Sequence, residues 1–242
     1  MNSIEIKGLT RKFKNRKAVN SLELSISEGE MFALLGQNGA GKSTTIKMLS
    51  CLLIPTQGDA YMLGKSIKND YEEVKKFINA SPQETAVAPK LTVKENLELI
   101  ARIYGSDKKE ATEQAKKMMK DFQLADRAND KAKSLSGGMQ RRLSIAMALI
   151  SNPKILFLDE PTLGLDVRAR RDLWEIIAGL KGKITIILTT HYLEEAENLA
   201  DRIAIMNNGE LKVMGTVDEI LEKTKAPNFE EAFLSLTDKE EE

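Results

Sequence analysis

The sequence predicts an α/β fold with a wound, mostly parallel sheet, and three observations carry that prediction. MFALL (31–35), ILFLD (155–159) and ITIILTT (184–190) are continuous apolar runs, the pattern of strands buried on both faces. Each is followed by a stretch of helical periodicity, so strand and helix alternate along the chain. The 242 residues, 42% hydrophobic and 30% charged, suffice for one large domain or a domain carrying an inserted subdomain.

Ahead of the first buried run, residues 3–26 alternate in IEIKGL and LELSI, as half-buried antiparallel strands do. Further on, KMLSCLLI places the single cysteine, Cys51, on a buried helix as a small core hydrophobe. Residues 92–150 are almost wholly helical in pattern. Val93, Leu97, Ile100 and Tyr104 form one apolar stripe, opened by a capping box from Thr92 to Glu95. Ala111, Ala115, Met118 and Phe122 form a second, and Met139, Leu143, Met147 and Ile150 a third. A helical subdomain is therefore expected over about residues 89–150, inserted into the α/β core. After Gly182 the chain returns to strands, and IAIMNNGELKVMG predicts a hairpin about Asn208 and Gly209. Residues 226–242 read as a C-terminal helical and acidic tail, whose end, DKEEE, is expected to fray.

Charge narrows the function classes. Lys+Arg and Asp+Glu are both 36, so no net basic field recommends nucleic acid as a partner. A single cysteine excludes an internal disulfide framework and a cysteine-rich zinc site, and points to a cytoplasmic location. MNSIEIKGLTRKF has no apolar signal-peptide core, and no apolar run approaches the ~20 residues that cross a bilayer. Service to a membrane would pass through a partner.

Residues 36–43, GQNGAGKS, match GxxxxGK[ST] between a buried strand and a helix. Gly36, Gln37, Asn38, Gly39, Ala40 and Gly41 would turn the loop and bring its amides to the phosphates of ATP, and the helix opening at Lys42, Ser43 and Thr44 adds its positive end. Lys42 would bridge the β- and γ-phosphates and the Ser43 hydroxyl would ligate Mg²⁺. The bland alternative is a tight strand-to-helix turn with an incidental lysine. A second element, ILFLDEP, delivers Asp159 and Glu160 to the end of the sheet where ligands of open α/β sheets bind. Neighbouring strand residues point to opposite sides, so Asp159 can serve Mg²⁺, commonly through water, while Glu160 polarises the attacking water. Two acids at a strand end can, by themselves, also be mere solvated caps.

SLSGGMQRR (134–142) begins a helix among two glycines, although each glycine costs a helix about 1 kcal/mol relative to alanine. Glycines at a helix start let the backbone approach an anion at the positive end of the helix.

In chain order, GQNGAGKST, LSGGMQ, LDEPT, the GLD that follows and His191 after ITIILTT resemble the motifs of an ABC ATPase cassette, over about residues 3–222. The resemblance implies a P-loop NTPase (RecA-like) core with an N-terminal antiparallel β subdomain and a helical insertion, one ATPase domain over residues 1–225. It implies that Phe13 stacks on adenine, that Gln83 meets Mg²⁺ and the water, and that His191, the only histidine, reaches the γ-phosphate and holds the water-positioning acid. Phe13 could equally be an ordinary strand-end hydrophobe; the bland readings of Gln83 and His191 are a loop amide and a polar strand terminus. It further implies that two cassettes pair head to tail, with Ser136 and Gly138 of one closing over the γ-phosphate bound by Lys42 of the other. Asp166 matches the loop that crosses that boundary, and it can also be the N-cap of a helix from Val167. The commonest family wording is LSGGQ; here Met139 follows the glycines, which leaves any role of an amide side chain at that position in doubt.

Taken whole, the resemblance implies an ATPase that energises a membrane transporter, peripheral at the cytoplasmic face through a separate transmembrane permease, as a homodimer or heterodimer of cassettes. THYLEEAENLADRIAIMNNGELKVMGT and NFEEAFLSLT are similar to the ABC-2 exporter group. The alternative is a soluble, non-transport member such as an iron–sulfur assembly ATPase. The transported molecule is not legible, because its contacts belong to the permease.

Overall fold

The computed structural model describes residues 1–14 and 16–237, so the acidic end expected to fray, 238–242, lies outside the described residues. Strands β1 (Asn2–Phe13) and β2 (Arg16–Ser27) pair antiparallel, with Ile4 opposite Ile26 and Ile6 opposite Leu24. The alternating apolar residues predicted there are the buried ones. Next come β3 (Met31–Leu35), α1 (Lys42–Leu49), β4 (Gln57–Met62), β5 (Lys65–Ser66), α2 (Tyr71–Val74) and β6 (Ile78–Ser81). Helices α3 (Val93–Ile103), α4 (Lys108–Asp121) and α5 (Gly137–Leu149) precede β7 (Ile155–Asp159), α6 (Val167–Ala178), β8 (Thr185–Thr190) and α7 (Leu193–Leu199). Strands β9 (Arg202–Asn207) and β10 (Glu210–Gly215) and helices α8 (Val217–Thr224) and α9 (Phe229–Thr237) complete the described chain.

Two sheets result, an antiparallel one in the order β2-β1-β4-β5 and a six-stranded one in the order β10-β9-β3-β8-β7-β6. In the second, β9, β3, β8, β7 and β6 run parallel and only the β9–β10 hairpin is antiparallel, turning at Asn208 and Gly209, both at positive φ. Its strands separate two apolar clusters. Met31, Ala33, Leu35, Leu156 and Leu158 face the helices α3–α7, whereas Phe32, Leu34, Ile155 and Phe157 face α1 and the antiparallel sheet. Alternation of buried residues into two cores explains why these strands read as unbroken apolar runs. Arg202 ties the sheets together: its Nε and Nη2 grip Glu30 at 2.8 and 3.0 Å, and Nη2 also donates to the Ser25 carbonyl at 2.7 Å.

The register aligns the carboxyl ends of neighbouring strands. Leu35 lies beside Thr190, Thr189 beside Asp159 and Leu158 beside Ser81. The segments that leave β3, β8, β7 and β6 therefore emerge side by side.

The helices between β6 and β7 hold together locally. The capping box of Thr92 and Glu95 is formed, and buried Asn96 fixes the approach to α3 by accepting from the Ala88 amide at 2.8 Å. The neck is closed where the Ala132 amide donates to the Leu91 carbonyl. Four details depart from the sequence expectations. Tyr104 caps α3 and is half exposed, so the stripe ends at Ala101; Met119, not Met118, is the buried methionine of α4. Helix α5 is buried on most of its circumference, including Ile145, Ala146 and Ala148, because it lies between the sheet and other helices. Cys51 stands in a left-handed turn just after α1, half buried, rather than within the helix.

Candidate active site

At the aligned strand ends a cavity of about 540 Å³ opens. The loop from β3 enters it first. Gly36 is required by close packing, since a Cβ there would lie 2.4 Å from the Met206 carbonyl oxygen. Gly41, the N-cap of α1, has φ +106°, and its Cβ would lie 2.5 Å from the Ala18 carbonyl oxygen. Asn38, Gly39, Ala40, Gly41, Lys42, Ser43 and Thr44 line the cavity, while Gly36 and Gln37 stand outside its lining, their carbonyls accepting from Lys42 Nζ at 2.7 and 3.3 Å. Lys42 is 5% exposed, so its ammonium sits at the floor of the cavity at the start of α1.

From β7 come the two acids. Asp159 Oδ1 accepts hydrogen bonds from Ser43 Oγ at 3.0 Å and from Thr189 Oγ1, which brings two hard oxygen donors, a hydroxyl and a carboxylate, to one point. Glu160 follows with φ +48°, a left-handed conformation that costs a non-glycine residue about 1–3 kcal/mol and persists where its surroundings enforce it. Its amide is held by the carbonyl and the hydroxyl of Thr189. Its Oε1 lies 3.3 Å from Lys42 Nζ, and its Oε2 lies 2.7 Å from His191 Nδ1, the first residue beyond β8. Gln83 lies on the segment leaving β6 and lines the same cavity. At the open end Phe13 is 44% exposed, with the Arg11 guanidinium carbon 4.6 Å from its ring centre, leaving a face for a flat ligand.

The structure thus assembles Phe13, the loop, Gln83, Asp159, Glu160 and His191. It does not bring Ser136, Gly138 or Asp166 to this cavity. Ser136 is exposed and caps α5, accepting from the Met139 amide at 3.3 Å; Gly138 packs against Ala169; exposed Asp166 caps α6 by accepting from the Ala169 amide at 2.9 Å. Met139 turns toward the apolar cluster, and Gln140 reaches back to the Leu135 carbonyl.

Sequence reasoning missed Arg16, whose Nη2 donates to the Gly39 carbonyl at 3.0 Å beside Phe13, and Leu163, on the opposite rim. The basic run RKFKNRK around Phe13 was a usable signal for the first. Also missed was a buried carboxyl behind the site: Glu195 is fully buried and accepts from Thr162 Oγ1 at 2.8 Å and Trp174 Nε1 at 3.0 Å. Burial pushes its pKa up, against the nearby hydroxyl of Thr190 and the hydrogen bonds of Thr162 and Trp174.

A glycine loop feeding a helix from the central strand, with acids and a histidine on the adjoining strand ends, defines a nucleoside-triphosphate-binding domain of the phosphate-loop class. The ABC transporter family model matches residues 19–163, and the chain belongs to that family. It is 41% identical over 219 residues to the daunorubicin/doxorubicin resistance ATP-binding protein DrrA of Streptomyces peucetius, covering 90% of this chain and 66% of DrrA. It is 43% identical over 217 residues to the human phospholipid-transporting ATPase ABCA3, covering 88% of this chain but only 13% of that longer protein. Among solved structures, an ATP-binding subunit of an ABC transporter superposes with a TM-score of 0.85 at 31% identity, covering 96% of this chain and 98% of that one. A dimeric ATP-binding cassette in a post-hydrolysis state bound to ADP and Pi does so with a TM-score of 0.78 at 30% identity, covering 88% and 98%.

Proposed function

We propose that this chain binds and hydrolyses ATP to energise a membrane exporter, by ATP-driven pairing of two cassettes beneath a separate transmembrane permease, at the cytoplasmic face of the membrane. The observation that carries this reading is the placement of the Glu160 carboxylate between Lys42 and His191 at the mouth of the phosphate loop. The resemblance to transporter proteins weighs against the soluble alternative. Among the described residues no helix is long and apolar enough to cross a membrane.

The chemistry follows from the residues. The loop amides and Lys42 hold the phosphates and neutralise the charge that develops on them. Ser43 and Asp159, joined at 3.0 Å, are a hard-oxygen pair that would hold Mg²⁺. Mg²⁺, when bound, supplies charge neutralisation at the phosphate oxygens. Glu160 accepts a hydrogen bond from the attacking water and aligns it; His191 holds Glu160 in place, and Gln83 borders the same space. Phe13, backed by Arg11, offers its free face to the adenine. Exposed Ser136, with the amides at the start of α5, is left to meet the phosphate held by a second cassette, as is Asp166 to cross the same boundary. The domain then spans residues 1–225, with the helical subdomain at 89–150 and the tail at 226–242.

The deciding experiment is to read the neighbouring reading frames and co-express the chain with any multi-span membrane protein they encode. A complex whose ATPase rate rises over the isolated chain supports the reading; a chain that co-purifies only with soluble assembly factors overturns it.

A further inference from the structure

Arg141 lies on α5 one turn after the SGG stretch and is 3% exposed, yet among the described residues no carboxylate contacts it directly. The partners of its guanidinium among those residues are backbone carbonyls. Nε donates to the Pro161 carbonyl at 2.8 Å and Nη2 to the Asp159 carbonyl at 2.7 Å. Nη1 donates to the carbonyls of Pro82 and, at 3.2 Å, of Gln83. Burial lowers its pKa to about 10, opposed by the charges of Asp159, Glu195 and Glu160, so the side chain remains a cation at neutral pH.

The four acceptors form two pairs with meaning. Asp159 and Pro161 flank Glu160, the residue held at φ +48°, so one planar fork grips both sides of a strained turn. Pro82 and Gln83 belong to the segment that carries Gln83 to the cavity. A rigid guanidinium with fixed donor directions can hold such a set where a flexible ammonium cannot. One helical turn further on, Ser144 Oγ meets Ser81 Oγ at 3.1 Å and fastens the same helix to the end of β6.

We propose that Arg141 is a positioning residue for hydrolysis: it fixes the backbone that presents Glu160 and Gln83, and binds that backbone rigidly to the helix that begins at Ser136. The inference rests on the reading that Glu160 aligns the attacking water. Through it, a phosphate closing on the start of α5 is mechanically joined to the catalytic carboxylate of the same chain.

The test is steady-state ATPase kinetics and equilibrium binding of a fluorescent ATP analogue for the full chain, Arg141→Ala, Arg141→Lys and Glu160→Gln. Displacement of the Glu160 turn predicts a fall in kcat of about 10²-fold for Arg141→Ala. Nucleotide affinity should stay within about threefold of the wild-type value, since no phosphate contact is lost. Millimolar guanidinium should restore part of the Arg141→Ala kcat, which loss of packing alone would not allow. If Arg141→Ala does not fold, Arg141→Lys decides: reduced kcat with unchanged nucleotide binding supports the inference, and a wild-type kcat overturns it. Full activity of Arg141→Ala beside an inactive Glu160→Gln would sink the role of Arg141 alone; full activity of Glu160→Gln would sink the reading of the site on which it rests.

Discussion

Lys42 Nζ lies 3.3 Å from Glu160 Oε1, with both side chains almost wholly buried. The ammonium proposed to meet the phosphates is therefore paired with the carboxylate proposed to align the water. A phosphate entering the loop must take Lys42 over from Glu160 and from the Gly36 and Gln37 carbonyls. On the proposed mechanism, that exchange would free one carboxylate oxygen for the water, while His191 keeps hold of the other.

Glu160→Gln separates the two roles of this pair. Removing the acceptor of the water's proton should slow hydrolysis by about 10²–10⁴. Loss of the ion pair with Lys42 should leave ATP binding intact and tighten it, because the phosphates no longer compete with a carboxylate. Single-turnover hydrolysis and equilibrium binding check the two halves separately. Full-rate hydrolysis would remove Glu160 from its role, and weakened binding would show that the pair with Lys42 does not oppose the nucleotide.

The degree to which this site could be read in the sequence follows from how local each signal is. Residues 36–43 and 155–160 declare themselves because an apolar run and the polar cluster after it are contiguous, and strand parity then separates Asp159 from Glu160. Arg141 gave no such signal: one of two adjacent arginines after the glycines, it is buried only because segments twenty and almost sixty residues away offer it carbonyls. Glu195 was hidden likewise, in a YLEEAE pattern that looks like an ordinary solvated helix start, until Thr162 and Trp174 are folded over it. Met118 packs against the core only partly buried and Tyr104 stands half exposed for a related reason, since a stripe fixes the direction of a helix face but not which neighbours cover its ends.

Ser136→Arg tests the pairing of cassettes. Ser136 is exposed, away from the cavity, and its structural duty is the cap on the Met139 amide. Losing a cap costs about 1 kcal/mol, too little to unfold a domain of this size. ATP binding by the single chain should therefore persist, while the bulky cation blocks approach of the second cassette. In the Glu160→Gln background, size-exclusion chromatography with ATP should show dimer for the parent and monomer for the double variant; a dimer that still forms would overturn head-to-tail closure.

Gly41→Ala tests the loop itself. The new methyl group would meet the Ala18 carbonyl at 2.5 Å and force an L-residue to φ +106°, and neither can relax without moving the loop against β2. Destabilisation of at least about 1–3 kcal/mol is expected, with nucleotide affinity lost beyond what the lower stability explains. Calorimetric titration with ATP at a temperature where the variant remains folded checks it. Wild-type affinity there would show that loop geometry does not govern phosphate binding.

Glu195 predicts how stability changes with pH. Burial raises its pKa above the ordinary value of 4.5, so the folded chain holds this proton more tightly than the unfolded chain. The stability linked to that proton is fully present below the unfolded value and is lost as pH rises through the raised folded one. In Glu195→Gln the carboxamide oxygen still accepts from Thr162 and Trp174, while its NH₂ replaces Oε2, which has no partner among the described residues. An unpaired buried NH₂ costs stability equally at every pH, so it shifts the whole curve without bending it. The melting temperature of the variant relative to wild type should therefore rise between about pH 4 and pH 8, whatever its offset at the acid end. Thermal unfolding across that range reads the difference directly. Parallel curves would show that Glu195 carries the same charge in the folded and unfolded chain, with Arg141, the buried cation nearby, compensating its burial in full.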